Sequence, residues 1–392
     1  MTPSIGTPIP VRDLLASLIV RKNGEAAARM SRLTGNRYCC FANSGTAVFY
    51  LILSALQQTD SGREIILPAY TAPSLILPIT AAGLRPVLCD ISLDTFNMNL
   101  ADVAGHISKN TLAILAVHSF GLPLDMSALR GIAEAHRITL VEDAASSFGT
   151  KIEGRYTGSL GDIGFFSFNR GKNLTTFSGG CLVTNRRDWF ESATDDLRRF
   201  NVLTASQKLA LAARAAGYTL AIRPAVYSIL EPCIRKFKYR HLHTTFERYQ
   251  YPAFQSNLAA AMLRDEAKIS ERRAQNGDYL YQSLQGASFI HLPKLLPGTR
   301  IAYNQFPLLF DAPEKRDRAL RRMMDSGIEA TTLYPEPIHR IDHPAYPLGY
   351  SAEPDPFPNA SYFAKRLLLI PTHPLAARSA LVKAARIILE ES

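Results

Sequence analysis

Between residues 38 and 190 the chain alternates short apolar runs with stretches of helical periodicity. The runs 64–67, 85–89, 112–117, 138–142, 163–167 and 180–184 are rich in Ile, Val and Leu without clean in–out alternation. Strands covered on both faces have that pattern. Between them, Val48, Leu51, Ile52 and Ala55 follow the i, i+3, i+4, i+7 spacing of one helical face. Residues 125–136 open on Asp125, a good helix N-cap. Strand–helix alternation predicts an α/β layer fold with a mostly parallel sheet and helices on both faces.

The pattern changes after residue 203. The stretch LALAARAAGYTLAIRPAVYSIL, within 204–231, is long and apolar but is broken by Arg214, Arg223 and Pro224. Two arginines and a proline argue against a spanning helix. A pair of helices packed on the domain is expected. The sharper alternative is a segment lying on a membrane, helped by the basic run after it. From 246 onward the pattern predicts a long helix over 256–284, a strand in YNQFPLLF and a helix over 313–326. It then predicts an amphipathic helix over 375–391, with Leu381, Ala384, Ala385 and Ile388 on one face. This reads as a smaller α+β domain, dividing the chain into 1–245 and 246–392.

Composition narrows the class. A chain of 392 residues can bury a substantial core, and 47% hydrophobic with 20% charged residues is an ordinary globular balance. The N-terminal MTPSIGTPIPVRDLL lacks a basic patch followed by an apolar core, so no secretory leader is expected. Cys39, Cys40, Cys89, Cys181 and Cys233 are odd in number and lack metal-ligand spacing. Reduced thiols in a cytoplasm and no metal are therefore expected. Net charge is +10, and the segment IRKFKYRHLHTTFER, 234–248, is dense in Arg, Lys and His. Such a patch is a solvated face, or it meets an anionic membrane or a phosphorylated small molecule. No nucleic-acid module accompanies it, so nucleic acid is not expected as a partner.

Three motifs lie at the carboxyl ends of the expected strands, where open α/β sheets bind ligands. In NSGTA, 43–47, Ser44, Gly45 and Thr46 open a helix. Its free N–H groups and dipole favour an anion, although Ser44 also fits an ordinary cap. In LVEDAASSFG, Asp143 ends a buried strand and needs a partner. Capping the next turn is the plain reading, and a cationic ring nitrogen the functional one. Ala145 is small enough for a flat ring to lie against it. In SFNRGKNLTTFSGG, Lys172 sits near a buried strand end, where burial lowers a lysine's pKa and leaves a nucleophilic amine able to form a Schiff base. Ser167 is a candidate phosphate contact. An anion site, a buried Asp and a buried Lys, in that order, are what pyridoxal phosphate requires.

On the stretches NSGTAVFYLILSAL, EIILPAYTAPS, PVLCDISLDTFNMN, AVHSFGLPLDM, VEDAASSFG, GDIGFFSFNRGKNLTTFSGGCLVTN, YPEPIHR and LLLIPTHPL, the chain resembles the DegT/StrS-type sugar aminotransferases. These are fold-type I enzymes that use pyridoxal phosphate, and the likeness runs over roughly 24–392. The resemblance implies Lys172 as the lysine that carries the cofactor and acts as catalytic base. It places Asp143 at the ring nitrogen, and Gly45, Thr46 and Ser167 at the phosphate. It implies an amino-acid donor such as glutamate, a keto-sugar acceptor on a nucleoside diphosphate, and a homodimer.

The sequence departs from the family at several places. Ser146 stands where the family has Gln or His near the ring. Ala72 stands where an aromatic residue stacks over it, leaving Tyr70, His118 or Phe120 as substitutes. The glycine-rich stretch after the lysine is reduced to Phe177, Ser178, Gly179 and Gly180. The Asn that a partner subunit gives to the phosphate has no clear match, and 204–243 is atypical. Arg170 and His339 are candidate substrate contacts, although a lone His after a proline-rich turn is more often structural. A pyridoxamine-dependent sugar dehydratase is disfavoured by Lys172, which such relatives replace with His. A non-catalytic relative is disfavoured by the retention of Lys172, Asp143 and Ser167. A lipid-linked or membrane-presented acceptor is the variant suggested by 204–231.

Overall fold

A computed structural model describes residues 1–19, 24–235, 242–350 and 353–392. Seven strands form the central sheet: β1 (Tyr38–Ala42), β2 (Glu64–Pro68), β3 (Arg85–Cys89), β4 (Thr111–Val117), β5 (Thr139–Asp143), β6 (Ile163–Ser167) and β7 (Gly180–Thr184). Their order is β1-β7-β6-β5-β4-β2-β3. Strands β3, β2, β4, β5 and β6 pair in parallel, while β7 runs antiparallel to both β6 and β1. Every residue of β2, β4, β6 and β7 is buried, which explains their unbroken apolar runs. The expected strands agree with the observed ones to within a residue at either end.

Helices cover both faces. α1 (Val11–Ile19) and α2 (Glu25–Thr34) precede the sheet, α3 (Gly45–Gln57) follows β1, and α4 (Met126–His136) lies between β4 and β5. α3 buries Val48, Leu51, Ile52 and Ala55, as its periodicity predicts. Asp125 caps α4 by accepting from the Ala128 N–H. α5 (Arg187–Arg198) packs on α3.

The apolar stretch after 203 is a helical pair, α6 (Ala205–Ala221) and α7 (Pro224–Arg235). α6 opens on a reciprocal Thr204–Gln207 capping box. Pro224 starts α7, a position where its missing N–H costs nothing. No described helix is long and apolar enough to cross a membrane. The basic residues 236–241 lie outside the described residues.

The helix expected over 256–284 is two helices, α8 (Ala253–Arg264) and α9 (Glu266–Leu284). Asp265 leaves the helical region (φ −97°, ψ 10°), and Arg264 pairs with Asp13 of α1 at 3.3 Å. The break lets α8 lie on α1 and α2 while α9 turns towards the C-terminal elements. There β8 (Ile290–His291), β9 (Gln305–Phe310) and β10 (Leu367–Pro371) form an antiparallel sheet with β9 in the middle. α10 (Pro313–Asp325), α11 (Pro358–Arg366) and α12 (Arg378–Leu389) accompany it. Leu381, Ala384, Ala385 and Ile388 are all buried on α12.

The first nine residues strap these parts together. Thr2 bridges to Ile328, the Ser4 N–H donates to Glu329, and Pro3 O contacts His373 Nε2 at 2.7 Å.

Candidate active site

At the carboxyl edge of the sheet, β1 turns through Ser44 into α3. Ser44 Oγ accepts from the Ala47 N–H at 3.0 Å, so the side chain is an ordinary cap. What remains is the helix N-terminus, whose first N–H groups lack intrahelical acceptors. Gly45 is buried there, and a Cβ on it would lie 3.0 Å from Ser167 Cβ and 3.3 Å from Ser167 Oγ. Ser167 at the end of β6 thus faces the first turn of α3, with half-buried Thr46 next along it.

The Gly179–Gly180 pair closes this cradle. A Cβ on Gly180 would fall 2.6 Å from Ser44 O and 2.7 Å from Gly45 N, and one on Gly179 would enter the Tyr251 ring at 2.6 Å. Gly179 also holds φ at +131°, a conformation L side chains rarely adopt.

Asp143 ends β5 and is only 6% exposed. Its Oδ1 accepts from the Ala145 N–H at 2.8 Å. Burial raises its pKa, and the positive charge of Lys172 opposes that rise. Burial likewise lowers the pKa of Lys172, opposed by the Asp143 carboxylate. Lys172 Nζ donates to Ser146 Oγ at 3.0 Å. The short Ser146 is therefore a direct partner of the lysine. Ala145, 9% exposed, sits between the two polar residues in the chain.

The other candidates lie elsewhere. His118 is fully buried. Its Nδ1 accepts from the Leu124 N–H, so Nε2 carries the proton and donates to Glu142 Oε2 at 2.8 Å. Glu142 also takes N–H groups from Gly158, Leu160 and Gly161. With both ring nitrogens engaged, the His118 ring is fixed in orientation, and its partner Glu142 immediately precedes Asp143 in β5. Tyr70 is 3% exposed, and its hydroxyl donates to the carbonyls of Thr332 and Tyr334. It buttresses the 331–334 segment. Phe120 packs on Phe363 at a left-handed φ of 59°.

Arg170 is exposed, with its guanidinium 5.3 Å from the centre of the Phe177 ring. His339 is buried against Phe357, with Nε2 3.0 Å from Asp355 Oδ1, and Arg340 pairs with the same carboxylate. No described contact joins His339 to Lys172 or Asp143.

Sequence reasoning passed over several residues that shape the site. Tyr334 belongs to YPEPIHR. Burial, and then the negative charge of Asp143, raise its phenol's pKa, placing it in the field of the site. The Lys172 loop is held by distant residues. Thr7 Oγ1 donates to the carbonyls of Lys172 and Asn173, and Asn304 Nδ2 to that of Gly171. The Tyr218 hydroxyl donates to Arg170 O at 2.7 Å. Arg273, 1% exposed, donates to Thr7 Oγ1 and to the carbonyls of Tyr303 and Asn304. Each is a single polar residue far away in sequence, and no local pattern marks it.

The donor set fits pyridoxal phosphate. The glycine-lined helix terminus with Ser167 suits a phosphate, the buried carboxylate a ring N–H⁺, and the amine of Lys172 an aldehyde. A mostly parallel sheet with one reversed strand, carrying this trio on its carboxyl edge, defines a fold-type I pyridoxal-phosphate architecture. The chain belongs to the DegT/DnrJ/EryC1/StrS aminotransferase family, whose sequence profile matches residues 20–387. It is 27% identical, over 85% of its length and 79% of the relative's, to the dTDP-4-dehydro-2,3,6-trideoxy-D-glucose 4-aminotransferase of Saccharopolyspora spinosa. It is 26% identical, over 95% and 89%, to the UDP-N-acetyl-3-dehydro-alpha-D-glucosamine 3-aminotransferase of Acidithiobacillus ferrooxidans. Among solved structures it resembles S. venezuelae DesV in complex with a ketimine intermediate, with a TM-score of 0.76 and 25% identity, covering 97% and 93% of the two chains.

Proposed function

We propose that the protein is a pyridoxal-phosphate-dependent aminotransferase that moves an amino group from glutamate to the keto carbon of a nucleotide-linked sugar. The observation that carries this reading is the convergence of Lys172, Asp143 and Ser146 on the same carboxyl edge of the sheet that carries the glycine-lined N-terminus of α3 and Ser167. The two aminotransferase relatives, both named for nucleotide-linked keto-sugars, support the acceptor class.

When bound, the cofactor supplies an aldehyde for the amine and an electron-withdrawing ring. The N-terminus of α3 and the Ser167 hydroxyl hold its phosphate. Asp143 stays ionised beside a cation and keeps the ring nitrogen protonated. Lys172 Nζ, its pKa lowered by burial, carries the proton to and from the substrate carbon as a free amine. Ser146 Oγ gives that amine a resting partner when it is released. Arg170 and the basic surface offer charge to the diphosphate.

The test is a panel of keto-sugar nucleotides incubated with glutamate while 2-oxoglutarate is followed. The protein is expected to be yellow, and borohydride to fix the coenzyme on the Lys172 peptide as read by mass spectrometry. Lys172→Ala is expected to lose both the label and turnover. A Lys172→Ala variant that still transaminates overturns the mechanism, and a colourless protein that ignores added cofactor overturns the class.

A further inference from the structure

Exposed apolar surface is unevenly distributed on this chain. Among the described residues, thirteen large apolar side chains are exposed, and ten of them lie on α1 or within 202–242. They include Ile19 (83% exposed), Leu209 (73%), Ile229 (78%), Val202, Leu15, Leu18 and Leu220. α1 and α6 pack against each other, as do α6 and α7. α6 already buries Ala212, Ala215 and Thr219 inward. Its outward face repeats Leu209, Ala213, Ala216 and Leu220 at helical spacing, all exposed. A helix apolar on both faces needs a second contact.

Charge says what kind of contact. Residues 204–235, which form the helical pair, hold Lys208, Arg214, Arg223 and Arg235 against Glu231 alone, a net charge of +3. Arg214 and Arg223 are exposed on the helical pair and make no ion pair among the described residues. A second copy meeting this patch about a two-fold axis would set like charges face to face. A nucleic acid would leave the leucines and isoleucines without a role. Apolar side chains flanked by unpaired cations suit the headgroup–acyl boundary of an anionic bilayer.

We infer that the α6–α7 pair, with α1 beside it, is a docking surface for a membrane rich in acidic phospholipid. The surface is coupled to the active site through one side chain. Tyr218 of α6 donates its hydroxyl to the carbonyl of Arg170, and its ring meets Phe177 edge-on at 6.0 Å. Arg170 and Phe177 flank Lys172 in the loop that carries it. The docked helix is therefore tied to the lysine loop, and the active site lies close to the lipid surface.

The test is co-sedimentation of the full-length, cofactor-loaded protein with vesicles of phosphatidylglycerol and phosphatidylcholine, against phosphatidylcholine alone, at low and high salt. Binding is expected on the anionic vesicles only, and it is expected to fall steeply with salt. Leu209→Ser with Ile229→Ser is expected to weaken binding by about tenfold or more. Arg214→Gln with Arg223→Gln is expected to weaken it by about fivefold per charge removed. Circular dichroism and borohydride labelling of Lys172 check that each variant folds and holds cofactor. Equal binding to neutral vesicles, no binding, or parental binding by both variants overturns the inference. So does light scattering that shows either variant dissociating a dimer, because the face then belongs to a second copy.

Discussion

Gly180→Ala isolates the steric basis of the anion cradle. Gly180 begins β7 and pairs with Ala42 of β1 and Ser167 of β6, so it joins the two strands that lead into the cradle. Its backbone is not left-handed, so alanine adds no torsional strain and the effect is purely one of space. The new Cβ would sit 2.6 Å from Ser44 O and 2.7 Å from Gly45 N, roughly 1 Å short of an ordinary contact. Both neighbours are peptide atoms and cannot rotate away as a side chain would. Overpacking of this kind costs about 1–3 kcal/mol, roughly 5- to 150-fold in an equilibrium constant. Part of that cost falls on the N–H groups facing the anion. Titrating the apoprotein with pyridoxal phosphate should show weaker binding, and urea unfolding a lower midpoint at unchanged slope. Gly131→Ala is the control. Gly131 lies inside α4 with nothing within 4 Å of its would-be Cβ, so alanine there should stabilise by up to about 1 kcal/mol. A Gly180→Ala protein with parental affinity and midpoint refutes the reasoning. Lost stability with parental affinity would separate the glycine from the cradle.

The remaining predictions concern charge. Asp143→Asn removes the carboxylate that opposes the burial-lowered pKa of Lys172, so amine-reactive labelling of Lys172 in the apoprotein should reach half-rate at a lower pH; an unmoved profile contradicts the coupling. Burial alone would raise the pKa of Asp355, but bonds to Ser361 and Arg340 hold it below the ordinary carboxylate value, so its contribution is present above the unfolded pKa and lost as pH falls. Asp355→Asn should therefore lower the urea midpoint near neutral pH and flatten the acid limb of stability, the two proteins converging as pH falls below about 4. Arg273, its pKa lowered to about 9 by burial, is still charged at neutral pH; Arg273→Met removes the donor that orients Thr7, and hydrogen exchange of 169–176 should quicken by about tenfold.

The sheet was legible because each of its strands carries its own record. Residues 163–167 and 180–184 are apolar throughout, and being covered on both faces is what selects such runs. The trio of Lys172, Asp143 and the 44–46 turn was legible for a related reason: each lies at a strand end, so its position follows from the strand. The helix break at Asp265 was not legible, because one Asp, although a poor helix former and a common N-cap, sits inside an otherwise unbroken helical pattern. The break follows from Arg264 reaching Asp13, 251 positions away. His118 was legible only in part. Its place beside SFG at a strand end is in the sequence, but its bond to Glu142, one residue before Asp143, is a contact across the sheet that no local pattern marks.

The lysine loop shows why the rest of the site escaped sequence reasoning. Residues 169–176 form no regular element, and their carbonyls need donors. Thr7 supplies Lys172 and Asn173, Asn304 supplies Gly171, and Tyr218 supplies Arg170. These donors come from the N-terminal strap, the edge of β9 and the α6 helix. Arg273 then fixes Thr7 from α9. A loop bonded this way keeps Nζ within reach of Ser146 without an element of its own. Its geometry depends on at least four separate chain segments, so shifting any one of them should be felt at the amine. α6 is one of those segments, so Tyr218→Phe, which removes the hydroxyl bonded to Arg170 O and to the Thr7 backbone and leaves the packing in place, is the mildest probe of that dependence. It should quicken exchange around Arg170 without altering the exposed face of α6, and unchanged exchange there would mean that the helix only rests against the loop.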